Sequence, residues 1–216
     1  MNSNPNPKWS SVFAYGVGLM ATDGCMYRDG RHLDFTSKDF EQIENFKRAF
    51  NLTYKFRLKN SGSVKEKRYY SLQFSNVNLY RQLLHIGLAP NKSKTMNALD
   101  IPDAYFRDFL RGEFDGDGYS SSKVLDTRCV TFNIGFTSGS LLHLIWLKEK
   151  IHNLFKINGY IKNSGRNGYM LNFNKKAAIG LFDTMYYCDN LMSLSRKKFK
   201  LFKALCIIQW QSKRKC

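Results

Sequence analysis

The sequence predicts an α+β fold built from two tandem copies of one αββαββα unit, related by a pseudo-twofold axis. Three observations support this prediction. A segment that ends in Asp-Gly occurs at 16–24 and again at 110–118. The string Phe-Thr-Ser occurs at 35–37 and again at 136–138. Helical and alternating apolar patterns follow each Asp-Gly segment in the same order, which indicates an internal duplication.

Each Asp-Gly segment is predicted to form a short helix, called a motif helix below. Its small residues, among them Gly18 and Gly112, would allow two such helices to pack closely. We expect the glycine that closes each segment, Gly24 or Gly118, to provide a left-handed C-terminal cap. Packing the two helices side by side would bring the aspartates that precede these glycines to one point.

Downstream of the first motif helix, the patterns alternate between strand and helix. A strand is predicted over 32–37, and Asp39 then begins a helix in which Gln42 completes a capping box. Alternating apolar residues over 54–59 and 67–75 predict a hairpin. A further helix, which ends at a glycine, closes the unit.

The second half repeats this order, with a longer loop expected in its first strand pair, near 120–128. We therefore divide the chain into a disordered leader at 1–11, a first half at 12–99 and a second half at 100–216. Packing the halves across the motif helices would bury those helices. It would leave two antiparallel sheets, each with a polar face on the side where the aspartates lie.

The composition indicates a polyanionic partner. The chain has 216 residues, with 34 Lys and Arg against 17 Asp and Glu, and a formal net charge of +17. A membrane surface is the alternative, but no apolar run approaches the roughly 20 residues of a spanning helix. Hydrophobic residues make up 43% of the chain, which is enough to build a core.

Cysteine and histidine usage favours an intracellular protein without a zinc site. The five cysteines are an odd number without metal-ligand spacing, so we expect reduced thiols. The four histidines form no cluster in the sequence. The polar start has no signal-peptide pattern. The compartments that fit are an organelle, either mitochondrion or chloroplast, and a prokaryotic cytoplasm.

The aspartates that close the two motif segments, Asp23 and Asp117, are the candidate metal ligands. Paired carboxylates suit Mg²⁺, which takes few protein oxygens and keeps water and phosphate as its other ligands. A calcium loop starting at Asp115 is excluded, because Tyr119 and Ser120 stand where that loop needs an oxygen ligand and a glycine. We expect Asp115 to cap or to pack, since two residues earlier on a helix it points elsewhere.

At these residues the chain resembles the LAGLIDADG homing endonucleases. LRGEFDGDG at 110–118 keeps the leucine, the first glycine, both aspartates and the final glycine of the family pattern. GVGLMATDG at 16–24 departs at its start and at Ala21, where the family has Asp, but its final Asp-Gly is intact. The resemblance covers about 12–210 and is to members that carry two motifs in one chain. It implies a monomer whose sheets form a saddle in the DNA major groove.

The resemblance also implies a metal site. Two or three Mg²⁺ ions would be held by the carboxylates of Asp23 and Asp117 and by the carbonyls of Thr22 and Gly116. Mn²⁺ or Ca²⁺ can substitute in binding.

Each half carries a basic loop after its last core helix. The family places a lysine there, near the scissile phosphate, and Lys92 and Lys197 match it. The predicted catalytic residues are therefore these two lysines and the two aspartates. Lys94 and Lys198 remain open as alternatives, and so does a solvated loop that only touches the DNA backbone.

The outward strand faces are predicted to bind the DNA. Arg, Lys, Asn and Gln are the side chains that pair with purine edges in the major groove. The predicted contacts are His32, Asp34, Thr36, Lys55, Arg57, Lys59, Lys67, Ser71 and Gln73 in the first half, and Lys123, Arg128, Thr131, Asn133, Lys162, Arg166, Asn167 and Asn172 in the second. The alternative is that most of them are only solvated.

The leading functional hypothesis is a site-specific endonuclease that hydrolyses double-stranded DNA with divalent metal, as intron-encoded homing endonucleases do, and needs no protein partner. The alternatives are an RNA maturase that aids splicing and a DNA-binding protein with an inactive site. Retention of both aspartates favours cleavage, because RNA binding alone would not require them. We do not expect an intein, since the chain neither begins with Cys or Ser nor ends in His-Asn.

Overall fold

The structure is a computed structural model that describes residues 7–60, 68–126, 129–165 and 168–213. The helices are α1 (Ser11–Thr22), α2 (Phe40–Ala49), α3 (Val77–Ile86), α4 (Phe106–Asp117), α5 (Leu141–Phe155), α6 (Lys175–Met185) and α7 (Ser195–Lys213). The strands are β1 (Gly24–Met26), β2 (His32–Ser37), β3 (Arg57–Asn60), β4 (Arg68–Ser75), β5 (Gly118–Asp126), β6 (Cys129–Ser138), β7 (Tyr160–Asn163) and β8 (Tyr169–Asn174). Each half has the predicted order αββαββα, and α7 follows as an additional helix.

The two halves form four-stranded antiparallel sheets of matching topology. The strand orders are β1-β2-β4-β3 and β5-β6-β8-β7. The central strands pair in equivalent registers, with Phe35 opposite Leu72 in the first sheet and Phe136 opposite Leu171 in the second. The predicted α+β class with two antiparallel sheets is confirmed.

One face of each sheet is apolar and lies in the core, because side chains alternate between the two faces of a strand. Leu33, Phe35 and Leu72 are fully buried in the first sheet, as Phe173 is in the second. Phe35 stacks on Phe46 of α2 with 4.1 Å between the ring centroids. The opposite face of each sheet does not lie in this core.

Helices α1 and α4 pack against each other through glycines. A Cβ atom on Gly112 would lie 2.1 Å from the carbonyl oxygen of Tyr15, and one on Gly18 would lie 2.3 Å from that of Phe109. Any side chain at either position would therefore push the two backbones apart. The close helix contact predicted from the small residues is present.

The left-handed caps predicted at Gly24 and Gly118 are wrong. Gly118 has φ −73° and ψ 149°, and Gly24 begins β1 without a positive φ. The chain passes directly from each motif helix into a strand. Glycine is needed there for space: a Cβ on Gly24 would lie 2.7 Å from the Met20 carbonyl oxygen, and one on Gly118 would lie 2.4 Å from that of Phe114.

Part of the predicted disordered leader belongs to the fold. The Ser10 hydroxyl accepts a hydrogen bond from the Phe13 amide (3.1 Å) and caps α1. The Trp9 ring meets Phe13 edge-on and stacks on Tyr105, with 6.2 Å between the centroids. These contacts attach the segment to the core, whereas residues 1–6 lie outside the described ranges.

Three further local predictions are corrected. The Asp39 side chain does not cap α2, because its carboxylate binds Arg196 (2.6 Å), and Gln42 turns toward the motif helices. The extra residues of the second half lengthen β5 and β6, where they pair as strands, rather than a loop. Strand β3 begins later than predicted, at Arg57, and Leu58, which was predicted to be buried, is 54% exposed.

Helix α7 extends the second half beyond the repeat. Its buried residues follow helical spacing and face the strands β5 and β6. They are Leu201, Ala204, Leu205 and Ile208. Within the described ranges, no helix combines the length and the apolar character needed to span a membrane.

Candidate functional site

The two motif aspartates lie at the C-terminal ends of the packed helices. Asp23 is the C-cap of α1, where its amide donates to the Leu19 carbonyl (3.1 Å), and Asp117 is the last residue of α4. Both side chains reach solvent. Their negative charges interact, since Asp23 is one of the groups that raise the pKa of Asp117. The sequence prediction that these two carboxylates come together agrees with this arrangement.

The surroundings disfavour the charged form of both carboxylates. Desolvation, followed by the negative charges of Asp23 and Glu113, raises the pKa of Asp117 to about 6 from an ordinary value of 3.8. Desolvation also raises the pKa of Asp23, although Lys197 and Lys92 oppose the shift. The surrounding protein therefore stabilises the ionised pair poorly, and the two neighbouring ammonium groups offset only part of that cost.

Lys92 lies on the carbonyl end of α1. Its side chain is buried, and its ammonium donates hydrogen bonds to the carbonyls of Gly24 and, at 3.4 Å, Thr22. Desolvation lowers the pKa of Lys92. Lys94, the alternative in the same loop, is exposed. The fold therefore brings Lys92 rather than Lys94 to the motif helix.

Lys197 makes the equivalent contact with the C-terminal end of α4. Desolvation lowers the pKa of Lys197 to about 8. Its neighbour Lys198, the alternative, places its ammonium over the Tyr186 ring instead. The basic loop predicted around these two lysines is wrong, because the structure has them in the first turn of α7. The Lys197 ammonium donates hydrogen bonds to three backbone carbonyls, those of Phe114 (2.8 Å), Gly116 (2.7 Å) and Gly118 (2.7 Å).

Gln42 lies beside the aspartates and was predicted only to complete a helix cap, not to belong to the site. It donates to the Asp23 carboxylate (3.3 Å) and to the carbonyl of Asp115 (3.1 Å), and accepts from the Ser37 hydroxyl (2.7 Å). It is the fifth residue after the serine of the first Phe-Thr-Ser string. That position relative to the repeat was the signal that could have identified it.

His143 holds the equivalent position after the second Phe-Thr-Ser string, and it binds a third carboxylate. Its Nε2 lies 2.6 Å from Glu113 Oε1, and its Nδ1 lies 3.1 Å from the Asn97 carbonyl oxygen. Burial alone would lower the pKa of His143, but the Glu113 carboxylate outweighs it and raises this pKa. The buried pair lines one cavity with Asp117 and Lys92. The two half-sites are therefore not chemically equivalent.

Asp115 packs inside the protein, as expected. Its carboxylate accepts hydrogen bonds from the Tyr15 hydroxyl (2.8 Å) and the Leu194 amide (2.6 Å). Desolvation raises the pKa of Asp115 to about 6, and within the described part of the chain its Oδ1 meets no donor. Because the Lys197 amide donates to the Leu194 carbonyl (3.0 Å), Asp115 also fixes the segment that carries Lys197.

The described donor set fits a small divalent cation. Across 7–60, 68–126, 129–165 and 168–213, no three His, Cys, Asp or Glu side chains are grouped to hold a metal. The candidate donors are instead the two carboxylates and the carbonyls of Thr22 and Gly116. Each of these two carbonyls already accepts a hydrogen bond from a lysine. Mg²⁺ commonly uses one or two carboxylates and retains several waters, so two aspartates are enough.

Most predicted DNA contacts lie on the outward faces of the sheets or beside them. The exposed ones are Lys55, Arg57, Lys59, Gln73, Lys123 and Lys162, and the partly exposed ones are His32, Thr36, Thr131, Asn133 and Asn172. Lys67, Arg128, Arg166 and Asn167 lie outside the described residues. The accessible residues give each sheet a polar, basic face, and a base contact by any of them stays a prediction.

The exposure expected for Asp34 and Ser71 is wrong, because both are buried. The Asp34 carboxylate accepts hydrogen bonds from Ser71 (3.2 Å), Thr36 (3.1 Å) and Lys59 (3.1 Å). The antiparallel pairing of β2 with β4 places these side chains on one face and close together. The carboxylate therefore orients the Lys59 ammonium on the sheet surface.

Two tyrosines on the second sheet were missed by the sequence analysis. Tyr119 and Asn172 both lie opposite Gly135, and Tyr160 lies opposite Asn172, so all four share one face. The Tyr119 hydroxyl binds the Asn172 side chain. A Cβ on Gly135 would lie 2.5 Å from the Tyr119 ring, so glycine makes room for it. The serines that surround Tyr119 obscured this alternation in the sequence.

Neutralising Asp117 is expected to stabilise the metal-free protein. The pKa of this carboxyl is higher in the folded state than in the unfolded state. The free energy of unfolding therefore falls as pH rises from 3.8 to about 6, and it stays lowered above pH 6. Asp117→Asn should therefore raise the melting temperature at pH 8 in EDTA, and the difference should disappear near pH 3.5. A lower melting temperature for Asp117→Asn at pH 8 would contradict the assigned electrostatics.

Comparison with known proteins identifies the fold. No family model and no curated protein sequence matches the chain. Among solved structures, full-length DUF199/WhiA from Thermotoga maritima superposes with a TM-score of 0.63 at 17% identity, over 95% of this chain and 62% of that one. This chain thus spans less than two thirds of full-length WhiA. The N-terminal domain of DUF199/WhiA is itself described as a LAGLIDADG domain.

Two homing endonucleases whose structures contain DNA also superpose on the chain. I-WcaI bound to its DNA recognition sequence has a TM-score of 0.59 at 15% identity, over 93% of this chain and 95% of that one. A variant of I-DmoI with its target DNA in the presence of 2 mM Mg has a TM-score of 0.54 at 14% identity, over 82% and 97%. The arrangement of two motif helices between two four-stranded sheets is therefore the LAGLIDADG fold.

Proposed function

We propose that the protein is a divalent-metal-dependent endonuclease that cuts double-stranded DNA at a specific site. The observation that carries this proposal is the pair of interacting carboxylates, Asp23 and Asp117, at the ends of two helices held together by glycines. The fold does not need both charges for its stability. The pKa of each carboxyl is raised in the folded protein, so its ionised form destabilises the fold. Such a pair is useful when a cation binds it.

The chemistry assigned to the site is phosphodiester hydrolysis. A divalent cation held by Asp23 and Asp117 would polarise the phosphate and lower the pKa of a bound water. The chain's own contribution is positional. Gln42 orients the Asp23 carboxylate, and the tight α1–α4 contact fixes the separation of the two aspartates. Lys92 and Lys197 add positive charge beside the position where the phosphate would lie.

DNA binding is proposed to use the outward faces of both sheets. The net charge of +17 and the exposed Lys and Arg side chains on these faces support this proposal, as does the likeness to DNA-bound structures. The I-WcaI structure contains its DNA recognition sequence, and by analogy we assign a double-stranded target to this chain. A single chain with two half-sites would act as a monomer and would need no protein partner.

The affinity for DNA is expected to depend steeply on salt. Each neutralised phosphate contributes roughly −0.9 to the slope of log affinity against log salt, so about ten contacts give a slope near −9. Fluorescence anisotropy with a labelled duplex over a range of KCl concentrations measures this slope. A slope shallower than about −3 would contradict binding through the sheets.

The isolated protein is expected to be monomeric at micromolar concentration, because both motif helices of the site come from one chain. Multi-angle light scattering after gel filtration measures its mass. A mass near 25.1 kDa is expected. A dimer that persists on dilution would contradict the assignment of one complete site to each chain.

A DNA-binding protein of the same fold without nuclease activity is the second candidate. The likeness to WhiA shows that this fold is not confined to proteins described as endonucleases. The carbonyls of Thr22 and Gly116 also carry lysine ammonium groups, which could close the metal site. Incubation with a randomised duplex library and Mg²⁺, followed by sequencing of cut ends, separates the two functions. Cut ends that converge on one extended sequence support the nuclease, and selective binding without cut ends supports the second candidate.

A further inference from the structure

The ammonium groups of Lys92 and Lys197 are bound to the backbone rather than free to meet a phosphate. The last carbonyls of a helix have no partner within the helix and carry partial negative charge. The Lys197 ammonium donates three hydrogen bonds of 2.7–2.8 Å, two to the carbonyls of Phe114 and Gly116 at the end of α4 and one to that of Gly118 at the start of β5. The Lys92 ammonium donates to the carbonyl of Thr22 at the end of α1 and to that of Gly24 at the start of β1. Each ammonium thus occupies oxygens that a metal ion could use.

The two lysines differ in how firmly they hold the carbonyl beside the aspartate. The Lys92 ammonium is 3.4 Å from the Thr22 carbonyl oxygen, whereas the Lys197 ammonium is 2.7 Å from that of Gly116. The backbone of Lys197 is also bound to Leu194, whose amide donates to the buried Asp115. The carbonyl of Thr22 is therefore the more available of the two.

We propose that Lys92 and Lys197 compete with divalent cations for the carbonyl oxygens of Thr22 and Gly116, and that the weaker hold at Thr22 lets the Asp23 half-site take the first cation. This inference rests on the proposed function, because it concerns the same metal site. In this proposal the two ammonium groups act as internal counter-cations, which hydrogen-bond to the carbonyls of Thr22 and Gly116 until a metal ion binds. Loading the Gly116 carbonyl requires Lys197 to release it, and the released ammonium then becomes available to a phosphate.

The release can be observed directly on the ammonium groups. Nitrogen-15 NMR of labelled lysine side chains detects ammonium groups that are protected from exchange by hydrogen bonds, and Lys197→Met and Lys92→Met assign the two signals. In the metal-free protein we expect a protected Lys197 signal. Addition of Mg²⁺ should shift or remove the Lys92 signal first and the Lys197 signal at higher concentration. A Lys197 signal that is unchanged when Mg²⁺ saturates the carboxylates would overturn the inference.

Cation affinity provides the second test. Electron paramagnetic resonance of free Mn²⁺ gives the number of bound ions and their dissociation constants. Lys197→Met should tighten the weaker Mn²⁺ site about tenfold, because it removes a charge in direct contact with a ligand oxygen. Lys38→Met is the matched control, since Lys38 lines the same cavity as Lys197 and has no contact with the helix carbonyls in the described structure. In 1 M KCl the screening length is about 3 Å, so only the effect of Lys197→Met should persist.

The outcomes distinguish this inference from the proposed function. Mn²⁺ binding that requires Asp23 and Asp117 but does not respond to either lysine variant overturns the inference and leaves the nuclease proposal in place. A Lys197→Met protein that binds Mn²⁺ more weakly than the unaltered protein also overturns it. If neither the unaltered protein nor the lysine variants bind Mn²⁺, both proposals fail.

Discussion

Asp23→Asn and Asp117→Asn are each expected to abolish cleavage of both DNA strands while leaving DNA binding intact. Asparagine keeps the shape and one oxygen of the side chain but loses the charge that holds the cation. The cation contributes several kcal/mol to transition-state stabilisation, so cleavage should fall about a thousandfold or more. Binding should persist, because the outward sheet faces are unchanged. Cleavage of a supercoiled plasmid that carries the target site, together with a mobility-shift assay, measures both quantities.

The matched control for these variants is Asp183→Asn on α6. It removes one negative charge from an exposed side chain for which the described structure gives no partner. Its cleavage rate should stay within about twofold of the unaltered protein, as is usual for surface substitutions. Asp115→Asn is less suitable, because the buried carboxylate holds Tyr15 and Leu194. Full double-strand cleavage by either Asp23→Asn or Asp117→Asn would contradict the assignment of these two aspartates as ligands of the cation.

Gly112→Ala is expected to be among the most destabilising single substitutions in the chain. Its Cβ would lie 2.1 Å from the Tyr15 carbonyl oxygen, which is backbone and cannot rotate away. The helices α1 and α4 would have to separate, at a cost of about 3 kcal/mol or more in the free energy of unfolding. The same separation would move Asp23 away from Asp117, so any folded fraction should also cleave poorly. Urea unfolding followed by circular dichroism measures the loss.

Gly180→Ala is the control for helix propensity. Gly180 also lies inside a helix, but its Cβ would meet only the end of the Ile157 side chain, at 3.3 Å. Alanine is favoured over glycine in a helix by roughly 0.5–1 kcal/mol, so this variant should be neutral or slightly stabilised. If Gly112→Ala behaved like Gly180→Ala, the close contact between the motif helices would be disproved.

The duplication is the reason why the architecture could be predicted. Matched strings such as Phe-Thr-Ser give the order of elements twice, and period-two alternation assigns the buried face of each strand. Helix α7 escaped prediction because it has no counterpart in the first half. The cap prediction at Gly24 and Gly118 failed because a local rule for helix ends was applied where the chain enters a sheet directly.

The site was only partly predictable. Asp23 and Asp117 could be found, because repeated positions in a duplicated chain identify one another. Lys92 and Lys197 were selected within their basic segments by the family resemblance. Gln42 and His143 fill equivalent positions after the two Phe-Thr-Ser strings, so the repeat marks these positions, but the side chains differ and their roles cannot be inferred from it. Their partners on α4 are distant in the sequence from α2 and α5, and the sequence contains no local pattern for such contacts.

The contacts of the two lysines also depend on long-range packing. Lys197 reaches α4 only because Asp115 and the segment before α7 hold it there. A basic loop in the sequence is equally consistent with a solvated surface. For the same reason the burial of Asp34 was not predicted, since it depends on Ser71 and Lys59 from other strands.

The central claim is that Asp23 and Asp117 together hold a divalent cation at bound DNA. Crystals of the protein with its selected duplex and Mn²⁺, measured for anomalous scattering, test it most directly. We expect an anomalous peak about 2.1 Å from an oxygen of each aspartate and next to a DNA phosphate. The peak should be absent from crystals of the Asp23→Asn, Asp117→Asn double variant with the same duplex. A complex with ordered DNA and no peak between the two carboxylates would contradict the claim.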